Sequence, residues 1–183
     1  MAKPKNISRE SILDAAEQLL IQRGFHGFST RELADEVGLS SASLHHHFDT
    51  KAHLASAVAG RCRDRINLRM AEIARDLEGF WTRIHQVHES MHLDAPLLGM
   101  LAADFPSVPA LVQGESRQLF ANLLGWLTRF AVQARSEGDL PPDTAAESVA
   151  ADLLSTILGR AMLGRTEQPA APPLPASAWA WQR

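Results

Sequence analysis

Apolar residues recur along most of this chain at spacings of three and four, the period of a helix that buries one face. Ile12, Leu13, Ala16, Leu19 and Leu20 form a first stripe, with Ser8 placed to cap it and Gly24 to stop it. From Lys51, the positions Leu54, Val58, Cys62, Ile66, Met70, Ile73 and Leu77 predict one long helix. Gly79 breaks that pattern, and a shorter helix over residues 80–92 follows. Asp94, Ala95, Pro96 and Gly99 mark a turn and a new start; Phe105 to Pro109 is a second break, with Pro109 suited to a first helical turn. Leu119, Phe120, Leu123, Leu124, Leu127, Phe130 and Ala134 then stripe a long helix from Leu111 to Glu137. A loop from Gly138 to Pro142 precedes the last long helix, which Asp143 or Thr144 would cap and which carries Val149, Ala150, Leu153, Leu154, Ile157, Leu158 and Ala161. These segments all read as helices, so an all-α protein is predicted. The end of the chain is rich in Pro and Ala and holds Trp179 and Trp181, which favours docking of the tail over a free one.

The stretch from Phe28 to Lys51, FSTRELADEVGLSSASLHHHFDTK, departs from this rhythm. It spells two short helices around one glycine. Ser29 and Glu32 form a potential capping box, and Leu33, Ala34 and Val37 give the first helix its apolar face. Gly38 can take the left-handed conformation that ends it. Ser40 offers a new N-cap, and Leu44 and Phe48, four apart, face inward on the second helix. Helix, glycine turn and short helix make a helix-turn-helix, whose second helix enters the DNA major groove. Helical bundles contain such corners without binding anything; the outer face of the second helix separates the cases. At 100° per residue, Ala42, Ser43, His45 and His46 point away from Leu44, with Ser41 near the edge. Small hydroxyls and imidazoles, with no acid and no large apolar group, can approach phosphates and base edges. Downstream, Thr50 can cap a helix that opens with Lys51, an exposed lysine beside free N–H groups that suits a phosphate.

Charge tempers this picture. The net charge is -3, and residues 1–60 hold six Lys/Arg against seven Asp/Glu. The segment is not basic as a whole, so modest affinity with a steep salt dependence is expected. Lys3, Lys5, Arg9, Arg31 and Lys51 could ring the contact surface while the acids face away. The later arginines Arg61, Arg63, Arg65, Arg69 and Arg75 read as a solvated helix face, relieved by Glu72 and Asp76. Cys62 is the single cysteine. It excludes an internal disulfide, fits a reducing compartment, and packs in an apolar stripe more readily than it senses oxidation. The start, MAKPKNISRESIL, has no apolar run like a signal peptide, and no stretch approaches a membrane span. A cytoplasmic protein with no membrane partner is expected.

Taken together, a first helix ending in RGF, then FSTRELADEVGLS, a second short helix ending in HHF, and the pair Thr50-Lys51 resemble the tetracycline-repressor (TetR) family over roughly residues 8–60. The resemblance implies an all-helical, dimeric transcription factor, most often a repressor. It implies a three-helix DNA-binding domain at residues 1–50, a helical ligand-binding and dimerisation domain at 51–165, and a Pro/Ala-rich tail at 166–183. Carried over by position, Thr30 and Lys51 match phosphate contacts, and Ser41, Ala42 and Ser43 match the groove-facing start of the recognition helix. His45 and His46 stand where the family usually has tyrosines, and this chain has no tyrosine. Arg31, Ser40 and Thr50 complete the candidate DNA-contacting set. The last two long helices carry more apolar surface than one pair can bury, so a two-fold homodimer through residues 115–163 is expected. The intervening helices offer a mainly apolar lining for a small hydrophobic effector: Cys62, Ile66, Phe80, Trp81, Ile84, His88, Met100, Leu101, Phe105, Phe120 and Trp126, with His88 as polar anchor.

His88-Glu89-Ser90-Met91-His92 matches the HExxH pattern of zinc proteases, with His85 one turn earlier. Hydrolysis would need a further ligand, a cleft and a water position that the sequence does not supply, so no enzyme, cofactor or metal is expected. A helical protein-interaction or metal-sensing regulator using His85, His88 and His92 is the alternative. His45, His46 and His47 point about 100° apart and cannot share an ion.

Overall fold

The computed structural model describes residues 7–75 and 79–166. Leu77 and Asp76, the tail with Trp179 and Trp181, and Lys3 and Lys5 lie outside them. Eight helices and no strand make up the described residues: α1 (Arg9–Arg23), α2 (Thr30–Val37), α3 (Ser41–His47), α4 (Lys51–Ile73), α5 (Phe80–Met91), α6 (Ala95–Asp104), α7 (Ala110–Glu137) and α8 (Ala146–Gly164). The all-α expectation holds. The chain divides into two compact units. The first joins residues up to Cys62 with Met100–Leu119; the second joins Arg63–Gly99 with residues from Phe120 onward. Helices α4, α6 and α7 each begin in one unit and end in the other.

In the first unit the sequence signals act as written. Ser8 accepts the Ser11 N–H and caps α1, and Gly24 ends it at φ +72°. Ile12, Leu13, Ala16, Leu19 and Leu20 are buried with Leu33, Leu44, Leu54 and Val58, one core under all four N-terminal helices. The acids of α1 have a specific partner. Arg61 of α4 donates to Asp14 at 2.7 Å and Glu17 at 2.6 Å, and reaches Glu10 at 3.3 Å. These three carboxylates, one turn apart, fasten α1 to α4 along its length.

In the second unit the arginine face departs from expectation. Arg65 and Arg69 are not a solvated row. Both converge on Asp94, whose side chain is wholly buried just ahead of α6. Arg65 Nε donates to Asp94 Oδ1 at 2.8 Å, and Arg69 Nη1 also donates to the Ser90 carbonyl at 2.9 Å. Desolvating one carboxylate is offset here by two cations and several charge-assisted hydrogen bonds. The sequence pattern missed this because the partner lies about 25 residues away, outside any helical spacing. The cap of α8 also differs. Neither Asp143 nor Thr144 fills it; Ala145 stands there without a side-chain bond, and the Thr144 carbonyl instead accepts from Arg135 at 3.0 Å. Asp139 takes a capping role elsewhere, accepting the Phe80 N–H at 3.0 Å to start α5.

Leu119, Leu123, Leu127, Phe130 and Ala134 of α7, and Val149, Ala150, Leu153, Leu154 and Ile157 of α8, are buried within the single chain. Most of each stripe is therefore used inside the protomer, while Phe120, Leu124, Leu158 and Ala161 are half-buried. Asp94→Ala should lower unfolding stability by about 3 kcal/mol in urea titration, because it strands two guanidinium groups. Arg75→Ala, at an exposed position, should change it by less than about 0.5 kcal/mol.

Candidate nucleic-acid interface

The site is built from the turn outward. Ser29 Oγ accepts the Glu32 N–H at 3.1 Å, and Glu32 Oε2 accepts the Ser29 N–H at 2.6 Å, a complete capping box. Those bonds hold the Glu32 carboxyl below its ordinary value. Gly38 closes α2 at φ +73°, and its N–H and that of Leu39 return to α2 carbonyls. Ser40 Oγ then accepts the Ser43 N–H at 3.1 Å and starts α3. Leu44 and Phe48 are buried, which fixes the rotation of this short helix. As a result Ser41, Ala42, Ser43, His45, His46 and His47 all face solvent.

Individual roles sort further. Ser43 Oγ lies 2.8 Å from Ser40 Oγ, so its hydroxyl is partly engaged. His45 Nδ1 sits 3.2 Å from the Asp49 carbonyl, within hydrogen-bond reach of it. Thr50 Oγ1 accepts the His53 N–H at 3.1 Å and caps α4. Arg31 is exposed and Thr30 half-buried at the start of α2. Arg9 lies over the Phe48 ring at 4.8 Å and so packs against the end of α3.

Lys51 corrects the expectation of an exposed lysine. Its ammonium lies over the Phe28 and Phe25 rings, 4.0 and 4.8 Å from their centroids, and donates to the Phe28 carbonyl. Partial burial lowers its pKa. Lys51 therefore ties α4 to the turn before α2, by charge–quadrupole attraction and a hydrogen bond.

Four of the seven acids of residues 7–60 are spent internally. Glu10, Asp14 and Glu17 face Arg61, and Glu32 closes its own cap. Composition alone could not show this, because it counts charges without their partners. The expected effector lining is placed unit by unit. Cys62 and Leu101 are buried in the first unit, with Met100 and Phe105 half-buried there. Ile66 and Phe80 are buried in the second unit, with Trp81, Ile84, His88, Phe120 and Trp126 half-buried. An open cleft of about 520 Å³ in the second unit is lined by Arg69, Glu72, Ile73, Gln86, Glu89 and Ser90, none of them from the expected set. The three imidazoles do not assemble. His85 and His92 are exposed, and His92 Nδ1 meets the Glu89 carbonyl. Among the described residues no three His, Cys, Asp or Glu groups are placed to hold a metal ion. None of their helices is long and apolar enough to cross a membrane.

A capped helix, a glycine turn and a second short helix with a polar outer face, packed on two supporting helices, define a helix-turn-helix protein of all-α fold. Residues 12–58 match the family model described as bacterial regulatory proteins, tetR family. The chain is 27% identical over 125 residues to the HTH-type transcriptional repressor KstR2 of Rhodococcus jostii, covering 64% of this chain and 54% of that protein. It is 40% identical over 53 residues to the class D tetracycline repressor protein of Escherichia coli, covering 29% of this chain and 24% of that one. The matches thus span about half or less of these curated relatives. A solved TetR transcriptional regulator from Legionella pneumophila superposes with a TM-score of 0.77 at 26% identity, over 88% of this chain and 90% of that one. Residues 12–58 thus match the tetR-family model, and the fold is that of a solved TetR regulator.

Proposed function

We propose that this protein is a ligand-responsive, cytoplasmic DNA-binding regulator, a repressor released from a palindromic operator by a small hydrophobic effector. The observation that carries the reading is the outer face of α3: six consecutive-turn positions that are exposed, small or imidazole-bearing, and free of acid, on a helix whose rotation is fixed by Leu44 and Phe48. In this reading Ser41, Ala42, Ser43 and His46 meet base edges, while Thr30, Arg31, His45 and Thr50, ahead of α4, meet phosphates. Short side chains give few direct base contacts, so DNA shape and bridging water share the specificity. Repression follows the printed roles of the two relatives above.

Titration against fluorescent genomic fragments tests this. Wild type should select a fragment with a two-fold related sequence. Arg31→Ala should weaken binding to every sequence and reduce the salt slope by about 1, whereas Ser41→Asn should change which base is preferred at a cost of about 1–3 kcal/mol. Absence of any selective binding at moderate salt defeats the reading. In a reporter carrying the selected fragment, expression should fall when the protein is supplied; a rise would make it an activator.

The domains at 1–50 and 51–165 are assigned DNA binding and effector-dependent pairing. Pairing uses the solvent side of α7 and α8. Ala121, Gly125, Thr128 and Val132 share one side of α7, and Ala151, Ser155, Gly159 and Leu163 one side of α8. Six of the eight are exposed and the other two half-buried, and a side chain at Gly159 would meet nothing within the protomer. Small residues in such rows let four helices approach closely. Ser155→Arg with Gly159→Arg should give a folded monomer by sedimentation at micromolar concentration that fails to bind the full operator. A wild-type monomer under those conditions rules the dimer out.

For the effector, His88 Nδ1 is buried without a hydrogen-bond partner, its nearest carboxylate oxygen being that of Glu89 at 3.5 Å. An unmet polar atom beside Trp81 and Ile84 on α5 suits an apolar ligand with one polar group. A thermal-shift screen of hydrophobic and aromatic compounds should find ones that raise Tm and release DNA, and His88→Leu should cost them about tenfold in affinity. Hits confined to highly charged compounds would contradict a hydrophobic effector.

A further inference from the structure

The Phe25 N–H, at the turn between α1 and α2, donates to Asp104 Oδ2 at 2.6 Å, across 79 residues of sequence. The turn is shaped to receive it. Gly24 holds φ +72°, and a Cβ there would stand 2.8 Å from Asp104 Oδ2 and 3.0 Å from Met100 Cε. A second strand of the contact runs alongside. Ser107 Oγ donates to the Asp104 carbonyl at 2.9 Å, which leaves it to accept from His26 Nε2 at 3.2 Å. Asp104 is also the last residue of α6, where the helix carbonyls disfavour an anion. An acid held at an unfavourable helix end and aimed at one distant backbone N–H does not serve α6 itself.

We propose that Asp104 is a positioning residue for DNA binding: its carboxylate latches the α1–α2 turn, and with it the pose of the helix-turn-helix, to the end of α6. This rests on the DNA-binding reading above. Helix α6 starts in the second unit and ends at this latch in the first. The turn leads directly into Phe28, whose carbonyl takes the Lys51 ammonium, and into the Ser29 cap of α2. The latch therefore acts at the root of the helix-turn-helix, one short step from the bonds that aim α3.

Amide hydrogen exchange on the full chain tests the latch without DNA. Asp104→Ala should speed exchange of the Phe25 amide roughly tenfold and carry the increase through residues 26–30. Protection within α1 and α7 should persist. Asp104→Asn keeps an acceptor in the same place and should restore the wild-type pattern. Against the genomic fragment selected by wild type, Asp104→Ala should bind roughly fivefold more weakly and Asp104→Asn within about twofold. Unchanged exchange at Phe25 in Asp104→Ala overturns the proposal. So does a loss of protection spread evenly over α1, α4 and α7, which would make Asp104 an ordinary stability contact. If wild type selects no fragment, the DNA-binding reading fails on its own, and the exchange data still decide whether Asp104 holds the turn.

Discussion

A seven-residue helix cannot hold itself together in water, because nucleation costs more than so few hydrogen bonds return. Everything proposed for this protein depends on how α3 is held in spite of that. Burial of Leu44 and Phe48 fixes its rotation, and the Ser40 cap fixes its first turn. The exposed face is then a consequence: whatever does not point at Leu44 must point at solvent. The supports lie mostly in helices α1, α2 and α4. Arg61 fastens α1 to α4 through three carboxylates, and Lys51 fastens α4 to the turn ahead of α2. Charges that a tally treats as unfavourable for DNA are in this way converted into the frame that presents α3.

The same economy appears in the second unit. Asp94, removed from water between Arg65 and Arg69, joins α4 to the residues immediately before α6. Helix α6 in turn ends at Asp104, on the α1–α2 turn. Two acidic residues, one just ahead of this ten-residue helix and one at its end, thus make long-range polar contacts, one in each unit. Buried ion pairs are weak contributors to net stability but demanding in geometry.

Much of this was legible in the sequence wherever the physics is local. Caps and stops at Ser8, Gly24, Ser29 with Glu32, Gly38, Ser40 and Thr50 each depend on residues within three or four positions, and each stands where the pattern put it. The outer face of α3 followed from the helical period and one buried leucine. The illegible part is long-range polar pairing. Arg65 and Arg69 read as solvated because Asp94 lies beyond their own helix, and Lys51 read as exposed because Phe25 and Phe28 meet it only in the fold. Asp104 had a faint signal, an acid ending a helix, without any hint of its partner. The cap of α8 failed for a related reason: the buried Thr144, two residues ahead of α8, gives its carbonyl to Arg135, and no side chain caps the helix.

The central claim is that α3 is held so that its outer face reads a DNA groove. Nuclease protection on a fragment selected by the wild-type protein measures this most directly. The account predicts two protected half-sites related by two-fold symmetry, their centres one helical turn or a multiple apart, with protection lost when Leu44 or Phe48 is replaced by Ala although α1 remains folded. Uniform, sequence-independent protection, or a selective footprint that survives those replacements, would contradict it.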